Sequence, residues 1–224
     1  MGSAFRTLLM VTALPIVTTV AQAYALSGEL VYLDGEVTII RETEIVDADF
    51  GMLVGQGDSV ATGTDSIAII SLPQDIEIKL RENSRLAMDT LGEKTSVTLM
   101  NGGIFSKVAR GIAGGYTVKT EAAVAGVRGT EVFVAYGRKI DEHSDIWLCV
   151  NSGSVEVAIL AEEHTVVVEE GQGINIVGGV KLTKPRRYPW TTKLNWNTDP
   201  ASGDVVDRTD LENAYSDLLN QDYD

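Results

Sequence analysis

Arg128 is the residue of this sequence whose type and setting best suit contact with an anion. It lies between Gly126 and Gly129 in the otherwise uncharged stretch 122–130. Glycines on either side indicate close backbone approach or positive φ. A guanidinium has five N–H donors and keeps its charge, so it needs carbonyls, a carboxylate or an anionic ligand. Two interpretations stay open: Arg128 ties backbone carbonyls where the chain turns a corner, or it contacts a ligand or partner.

The other reactive side chains do not form a catalytic or metal-binding set. His143 and His164 lie in acidic stretches typical of solvated turns, whereas structural zinc normally takes four His or Cys ligands. Cys149, the single cysteine, lies in an apolar run and is predicted to be a buried, inert thiol. The Gly-rich stretch 110–115 joins two predicted strands, which favours a hairpin loop over a phosphate loop. The sequence therefore predicts no catalytic residues, no cofactor and no metal site.

A second group of candidate residues combines cations with aromatic rings near the C-terminus. Pro185 and Pro189 exclude a central strand here and predict a strap lying over residues 184–197. Either the rings pack on the chain's own domain while the cations face water, or the cluster docks a partner or stacks on a glycan. The candidate contact residues are Arg186, Arg187, Tyr188, Trp190 and Trp196.

The remaining C-terminal residues, 198–224, form an acidic tail that carries half of the net charge of −14. Thr209–Glu212 has the form of a capping box, and apolar residues follow at helical spacing, which predicts a short C-terminal helix. A helix of about ten residues is marginal alone, so it needs a surface on its own domain or on another protein. Its candidate contact residues are Leu211, Tyr215 and Leu218.

The elements that must position these residues are β-strands. From Glu29 to Thr183 apolar and polar residues alternate with a period of two, and glycine-containing turns separate the runs. Short strands without helical patterns between them predict an all-β domain over residues 24–183. We expect a short-stranded, solenoid-like arrangement, related to a β-helix or a sandwich, because glycines recur at the corners. Similar units that begin at Gly35 and Gly153 are consistent with a repeat.

Residues 1–23 are predicted to be a signal peptide. Arg6 precedes the apolar stretch 8–20, and Ala21-Gln-Ala23 or Ala23-Tyr-Ala25 offers a cleavage site. The apolar run is too short for a bilayer span and contains a proline, which disfavours a retained anchor. We therefore expect export to the periplasm or beyond, with no membrane span in the mature form. The negative charge disfavours nucleic acid and anionic membrane surfaces as partners.

Six short segments, in order over residues 28–183, resemble the FecR-type periplasmic domain. The resemblance implies an all-β envelope module without catalytic residues, which in many members is part of a signal relay. Sensor members that control a sigma factor carry a cytoplasmic domain and a membrane helix ahead of this module, and neither is found here, which favours a soluble relay or accessory protein. The six segments are 35–39, 55–62, 101–105, 120–130, 151–157 and 169–173.

These observations predict an exported, non-enzymatic binding, signalling or adaptor module of the cell envelope that acts through protein–protein contacts. Two alternatives stay open. One is a structural component of an envelope or surface assembly, including a homo-oligomer. The other is an enzyme acting on polysaccharide, which would need two convergent carboxylates that no motif marks.

Overall fold

The computed structural model describes residues 27–111, 115–140, 143–160 and 165–214. Within them the chain forms two β-sheets, and the period-two alternation is what makes each strand. Sheet A runs, in spatial order, β18 (Lys181–Leu182), β17 (Gln172–Val177), β14 (His143–Ser152), β13 (Glu131–Ile140), β10 (Gly103–Val108), β7 (Ile76–Leu80), β6 (Ile67–Leu72), β1 (Gly28–Asp34) and β4 (Leu53–Val54), with β19 (Arg186–Arg187) also paired to β17. Sheet B runs β16 (Thr165–Glu169), β15 (Ser154–Ile159), β12 (Ala123–Val127), β11 (Tyr116–Lys119), β9 (Thr95–Asn101), β8 (Arg85–Thr90), β5 (Ser59–Thr62), β2 (Val37–Arg41) and β3 (Glu44–Asp47).

The chain advances along both sheets as it crosses between them. It lays down one to three strands in one sheet before it crosses to the other. The spatial order therefore follows the sequence order except at β1–β4 and β2–β3. Neighbouring strands are antiparallel, apart from the parallel pair β9–β11. The all-β prediction is confirmed. The solenoid-like arrangement is not confirmed, because a β-helix stacks parallel strands and these sheets are built mostly from antiparallel pairs.

The core lies between the two sheets. Alternation sends every second side chain inward, and most of these residues are Val, Ile, Leu or Ala. On β7, for example, Ile76, Ile78 and Leu80 are fully buried in this layer. Each such side chain stabilises the fold by about 1.5–3 kcal/mol relative to an exposed one. The outward-facing side chains do not contribute to this core, so their types can differ between sheet A and sheet B.

Several crossings between the sheets share one corner geometry. A residue with positive φ (Asp65, Asn83 or Gly129) is followed by a hydroxyl residue that bonds back to a carbonyl two positions earlier. Asp, Asn and Gly are the residues that tolerate this backbone region best. The bonds run from Ser66 Oγ to Thr64 O (2.9 Å), from Ser84 Oγ to Glu82 O (3.1 Å) and from Thr130 Oγ1 to Arg128 O (3.0 Å).

The outer face of sheet A is aromatic, and the C-terminal residues cover it. Phe133 lies between Phe105 (centroid distance 4.6 Å) and Trp147 (5.3 Å), and Trp196 meets Phe105 edge-on at 5.2 Å. Buried Tyr188 packs so closely over Gly173 that a Cβ there would lie 2.0 Å from its ring. The strap therefore packs its rings on the domain of its own chain.

The tail continues over the same face and ends, within the described residues, in a helical turn at residues 211–214. Ala214 is fully buried against the aromatic cluster, and Leu211 packs on it. Asp210 Oδ1 accepts the N–H groups of Glu212 (3.1 Å) and Asn213 (3.0 Å), so Asp210 is the N-cap. The predicted capping box at Thr209 is wrong in register by one residue.

No helix among the described residues is both long and apolar enough to cross a membrane. The predicted signal peptide lies outside the described residues and stays a prediction.

Candidate partner-binding corner

Arg128 lies at the corner between β12 and β13. Residues 123–127, directly before it, form strand β12, which pairs with β11 and β15. Gly126 belongs to that strand, and Gly129 alone of the two glycines has positive φ (62°). Arg128 is therefore the first residue after a sheet B strand, at the point where the chain crosses to sheet A.

The corner is held together without the guanidinium of Arg128. Thr130 Oγ1 donates to the carbonyl oxygens of Arg128 and Ser154, both at 3.0 Å. The equivalent corners have Thr64 and Glu82 at the position of Arg128, so the geometry does not require a cation there. The structural interpretation of Arg128 is therefore wrong, because Thr130 supplies the bonds that it assigned to the arginine.

The side chain of Arg128 is exposed, and it has no hydrogen bond or ion pair with any residue that the structure describes. A second arginine lies beside it. Arg110 packs against Gly129, where an added Cβ would lie 3.0 Å from the Arg110 Cγ. Glycine at 129 therefore permits both the positive φ and the approach of Arg110. We call Arg110 and Arg128–Thr130 the arginine corner.

An open cleft of about 330 Å³ adjoins this corner. Its lining includes Gly129 and Thr130, the cations Lys107 and Arg110, and the carboxylates Asp75, Glu77 and Glu131. The Lys107 position is flanked across the sheet by Glu77 and Glu131, which temper its charge. Arg110, like Arg128, is exposed and forms no ion pair within the described residues. Because three carboxylates also line the cleft, the two exposed guanidinium groups, and not the cleft itself, are suited to a partner's carboxylates.

A larger cleft of about 630 Å³ lies between sheet A and the tail, and its cations already have partners. Lys79 Nζ donates to the carbonyls of Asn195 (2.5 Å), Asn197 (2.8 Å) and Val205 (3.0 Å). Burial lowers the pKa of Lys79 to about 8, an effect that Asp207 partly opposes.

Arg81 holds the tail next to Lys79. Its Nε lies 3.3 Å from Asp207 Oδ1, and both side chains are nearly inaccessible to solvent. One of its terminal nitrogens donates to the carbonyls of Asp207 (3.3 Å) and Thr209 (2.9 Å). Burial lowers the pKa of Arg81, and Asp207 acts in the opposite direction. These cations anchor the chain's own tail, so this cleft is a weaker candidate for a partner than the arginine corner.

The remaining candidate contact residues lie mostly within the covered face. Tyr188 is buried, while Trp190, Trp196 and Leu211 are partly buried against the aromatic cluster. Arg186 and Arg187 form β19, where Arg187 is exposed and Arg186 is half-buried. Tyr215 and Leu218 lie outside the described residues.

Cys149 also belongs to the covered face and is fully buried, as predicted. Burial raises the pKa of its thiol to about 12, so a thiolate nucleophile is not available near neutral pH. No cluster of three or more His, Cys, Asp or Glu side chains in the described part of the chain could hold a metal ion. His164 lies outside that part.

Sequence reasoning missed Arg110, Lys79 and Arg81. The stretch after Arg110 looked like a hairpin loop, but β10 and β11 lie in different sheets. The alternation of β7 marks Lys79 and Arg81 as outward-facing, and an outward cation on a strand normally faces water. The excess of acids in the tail was the only sequence signal that these cations could have a partner within the chain.

Residues 58–156 match the family model described as FecR protein. This part of the chain is similar to the FecR domain. The match covers just under half of the chain and confirms the resemblance seen in the sequence. The matched residues run from β5 into β15 and contain the arginine corner, whereas β1–β4, β16–β19 and the tail lie outside them.

Among solved structures, two crystal structures of a candidate anti-sigma factor from Parabacteroides distasonis are similar to this chain. Both are 18% identical to it, with TM-scores of 0.48 and 0.49, and the similarity covers 58% of this chain. The aligned region spans 59% of those chains, well short of their full length. No curated protein matches this chain.

Proposed function

We propose that this chain is an exported, non-enzymatic FecR module of the cell envelope that relays or adapts a signal by binding another protein. The observation that carries the proposal is the arginine corner inside the FecR domain. Arg110 and Arg128 are exposed there without an ion pair in the described residues, and the backbone corner forms without them. Exposed cations that the fold does not use are available for a partner.

The partner's contact surface should be acidic. Arginine binds carboxylates through paired, planar hydrogen bonds. The neighbouring cleft is lined also by Asp75, Glu77 and Glu131, so the contact is expected at the exposed guanidinium groups and not inside the cleft. A signalling protein with an acidic loop fits this chemistry. Regulatory roles associated with FecR proteins support a signalling partner over a substrate.

The proposal predicts that a charge reversal at the corner abolishes partner binding. The exported chain is crosslinked in intact cells and purified, and the double variant Arg110→Glu/Arg128→Glu is compared with wild type. The matched control is Lys181→Glu/Lys184→Glu, which changes the net charge equally at two exposed positions outside the FecR domain. We expect one envelope protein to be recovered with wild type and control and to fall at least tenfold with the arginine variant.

Equal recovery of that protein with the arginine variant would contradict a role for the corner. Recovery of no envelope protein with any version would contradict the adaptor function itself.

Export is tested separately by the N-terminus of the mature protein. Mass spectrometry of the protein from an envelope fraction should find a chain that begins at Tyr24 or Leu26, after one of the two predicted cleavage sites. A chain that retains residues 1–23 in the cytoplasmic fraction would contradict export.

A further inference from the structure

The end strands of the two sheets differ in how well they are protected against pairing with another chain. An open sheet edge presents unpaired backbone N–H and C=O groups, and proteins normally blunt such edges with short strands, charges or proline. In sheet A, end strands β4 and β18 each have only two residues. In sheet B, end strand β3 has acidic residues at both ends, Glu44 and Asp47.

Strand β16, at the other end of sheet B, is less protected, because its only charged residue is Glu169 at one end. It has five residues, Thr165-Val-Val-Val-Glu169, and pairs with β15 in unbroken register. No strand in the described part of the chain pairs with its outer edge. β16 is thus a regular apolar edge strand open to backbone pairing.

The side chains of β16 show what an added strand would cover. Val168 is fully buried in the core, whereas Val166, which faces the same way, is only partly buried because the sandwich ends there. Val167 points to the outer face and is 53% exposed. Leu160 and Val180, at the same end of the molecule, are 64% and 54% exposed. A strand added here would complete the core around Val166.

We propose that the strand added to β16 is β16 of a second copy of this chain, in antiparallel orientation. A two-fold axis at Val167 places it opposite Val167 of the second copy, and it places Val166 opposite Val168. Thr165 then lies opposite Glu169, so no like charges face each other across the pair. This contact closes after two copies, because a two-fold interface uses the same strand on both sides.

The other open edge strand of sheet B, β3, could not pair with its own copy in the same way. Antiparallel self-pairing of Glu44-Ile-Val-Asp47 places Glu44 opposite Asp47 of the second copy, twice in each dimer. Like charges directly opposite each other destabilise a strand pair. β3 is therefore protected against self-pairing by its charges, and β16 is self-complementary. β15 separates β16 from β12 and the arginine corner, so the proposed dimer does not use that corner and does not depend on the proposed partner.

A symmetric disulfide tests the register of the dimer directly. Val167→Cys would place two thiols opposite each other at the two-fold axis, within reach of a disulfide. The matched control is Ile45→Cys, on exposed edge strand β3, and native Cys149 is fully buried and does not compete. Under mild oxidation we expect a covalent dimer from Val167→Cys and none from Ile45→Cys. Covalent dimer from both variants alike, or from neither, would overturn the proposal.

A measurement of mass in solution tests the association without a crosslink. The proposed interface is small, because it consists of one pair of five-residue strands, and small interfaces give weak binding. Light scattering of the exported chain over about 1–200 µM should therefore show a monomer–dimer equilibrium. Val167→Lys places two ammonium groups together at the axis and should weaken the dimer at least tenfold, whereas Ile45→Lys should not. Both positions are exposed, so both variants should keep the wild-type circular dichroism spectrum. A wild-type chain that stays monomeric throughout, or a dimer that Val167→Lys leaves unchanged, would contradict the proposal.

Discussion

The outer faces of the two sheets differ in the size of their side chains and in what covers them. At the centre of sheet A the outward residues are large rings, such as Phe133 and Trp147, and the chain's own C-terminal residues bury them. At the corresponding level of sheet B, Thr98 lies beside Ala87 and Lys119, and no described segment covers this row. Both faces come from strands with the same alternation, so the outward residue type decides which face needs a cover.

The covered aromatic face of sheet A and the arginine corner have distinct roles. The aromatic face is a second core that stabilises the fold, and its cations, Lys79 and Arg81, hold the tail in place. The arginine corner lies at a crossing between the sheets and has no such internal use. Changes in the covered face should therefore alter stability, and changes at the corner should alter binding.

The largest effect is expected from removing the cover. Deletion of residues 194–224 takes away Leu194, Trp196 and Ala214 and exposes a large part of the aromatic face to water. Contiguous exposed apolar surface of this kind promotes aggregation and dye binding. We expect the truncated chain to bind a hydrophobic fluorescent dye and to lose solubility. A truncated chain that stays soluble and melts like wild type would contradict the view of this face as a second core.

Single substitutions sharpen the comparison between the faces. Trp147→Ala removes a buried ring that meets Phe133 at 5.3 Å and should lower the free energy of unfolding by about 4 kcal/mol. Thr117→Ala, at an outward position of sheet B, should change it by less than about 0.5 kcal/mol. Denaturant unfolding measures both. Similar losses from the two variants would remove the distinction between the faces.

Loss of the ion pair that anchors the tail should lower the free energy of unfolding nearly as much as loss of the Trp147 ring. Asp207→Ala leaves the buried guanidinium of Arg81 without its carboxylate and should cost about 3 kcal/mol. Asp204→Ala is the matched control, because the pair of Asp204 with Arg208 (2.6 Å) is exposed. We expect this control to unfold like wild type. Equal destabilisation by both variants would mean that burial does not set the strength of the anchor.

The pH dependence of Lys79 provides a smaller test. Its pKa is about 8 in the folded chain, against 10.5 for a lysine side chain in water, so between these values the unfolded chain binds more protons. Burial of the charged amine therefore lowers the free energy of unfolding most below pH 8, and this loss shrinks as the pH rises towards 10. Relative to Lys79→Met, which has no titrating group here, wild type should gain about 2 kcal/mol between pH 8 and 10. A constant difference between the two proteins would show that the amine is not desolvated.

Sequence reasoning predicted the all-β class because alternation is a local signal, and it predicted burial of Cys149 from the apolar run around it, which is also local. It missed β12, because Ala123-Val-Ala-Gly-Val127 consists only of small or apolar residues and its alternation is hidden. It missed β3 and β4, which are short end strands. Local patterns therefore predict most strands but do not predict how the strands are ordered in two sheets.

The candidate site was predictable in part. The setting of Arg128 between glycines marked it as unusual, but its exposure depends on the bonds of Thr130 to Arg128 and Ser154. The approach of Arg110 to Gly129 depends on a crossing between the sheets that no local pattern reveals. Contacts of Lys79 with carbonyls more than a hundred residues away are likewise absent from any local pattern. The prediction failed where the determining contact was distant in sequence.

The most direct test of the partner-binding corner is photo-crosslinking in intact cells from three single positions. A photoreactive amino acid replaces Arg128 at the corner, Trp190 in the strap, or Thr98 on the open face of sheet B. We expect a covalent adduct with another envelope protein from position 128 and from neither of the other two. An adduct from position 190 or 98 with none from 128 would contradict the assignment of the partner site to the arginine corner.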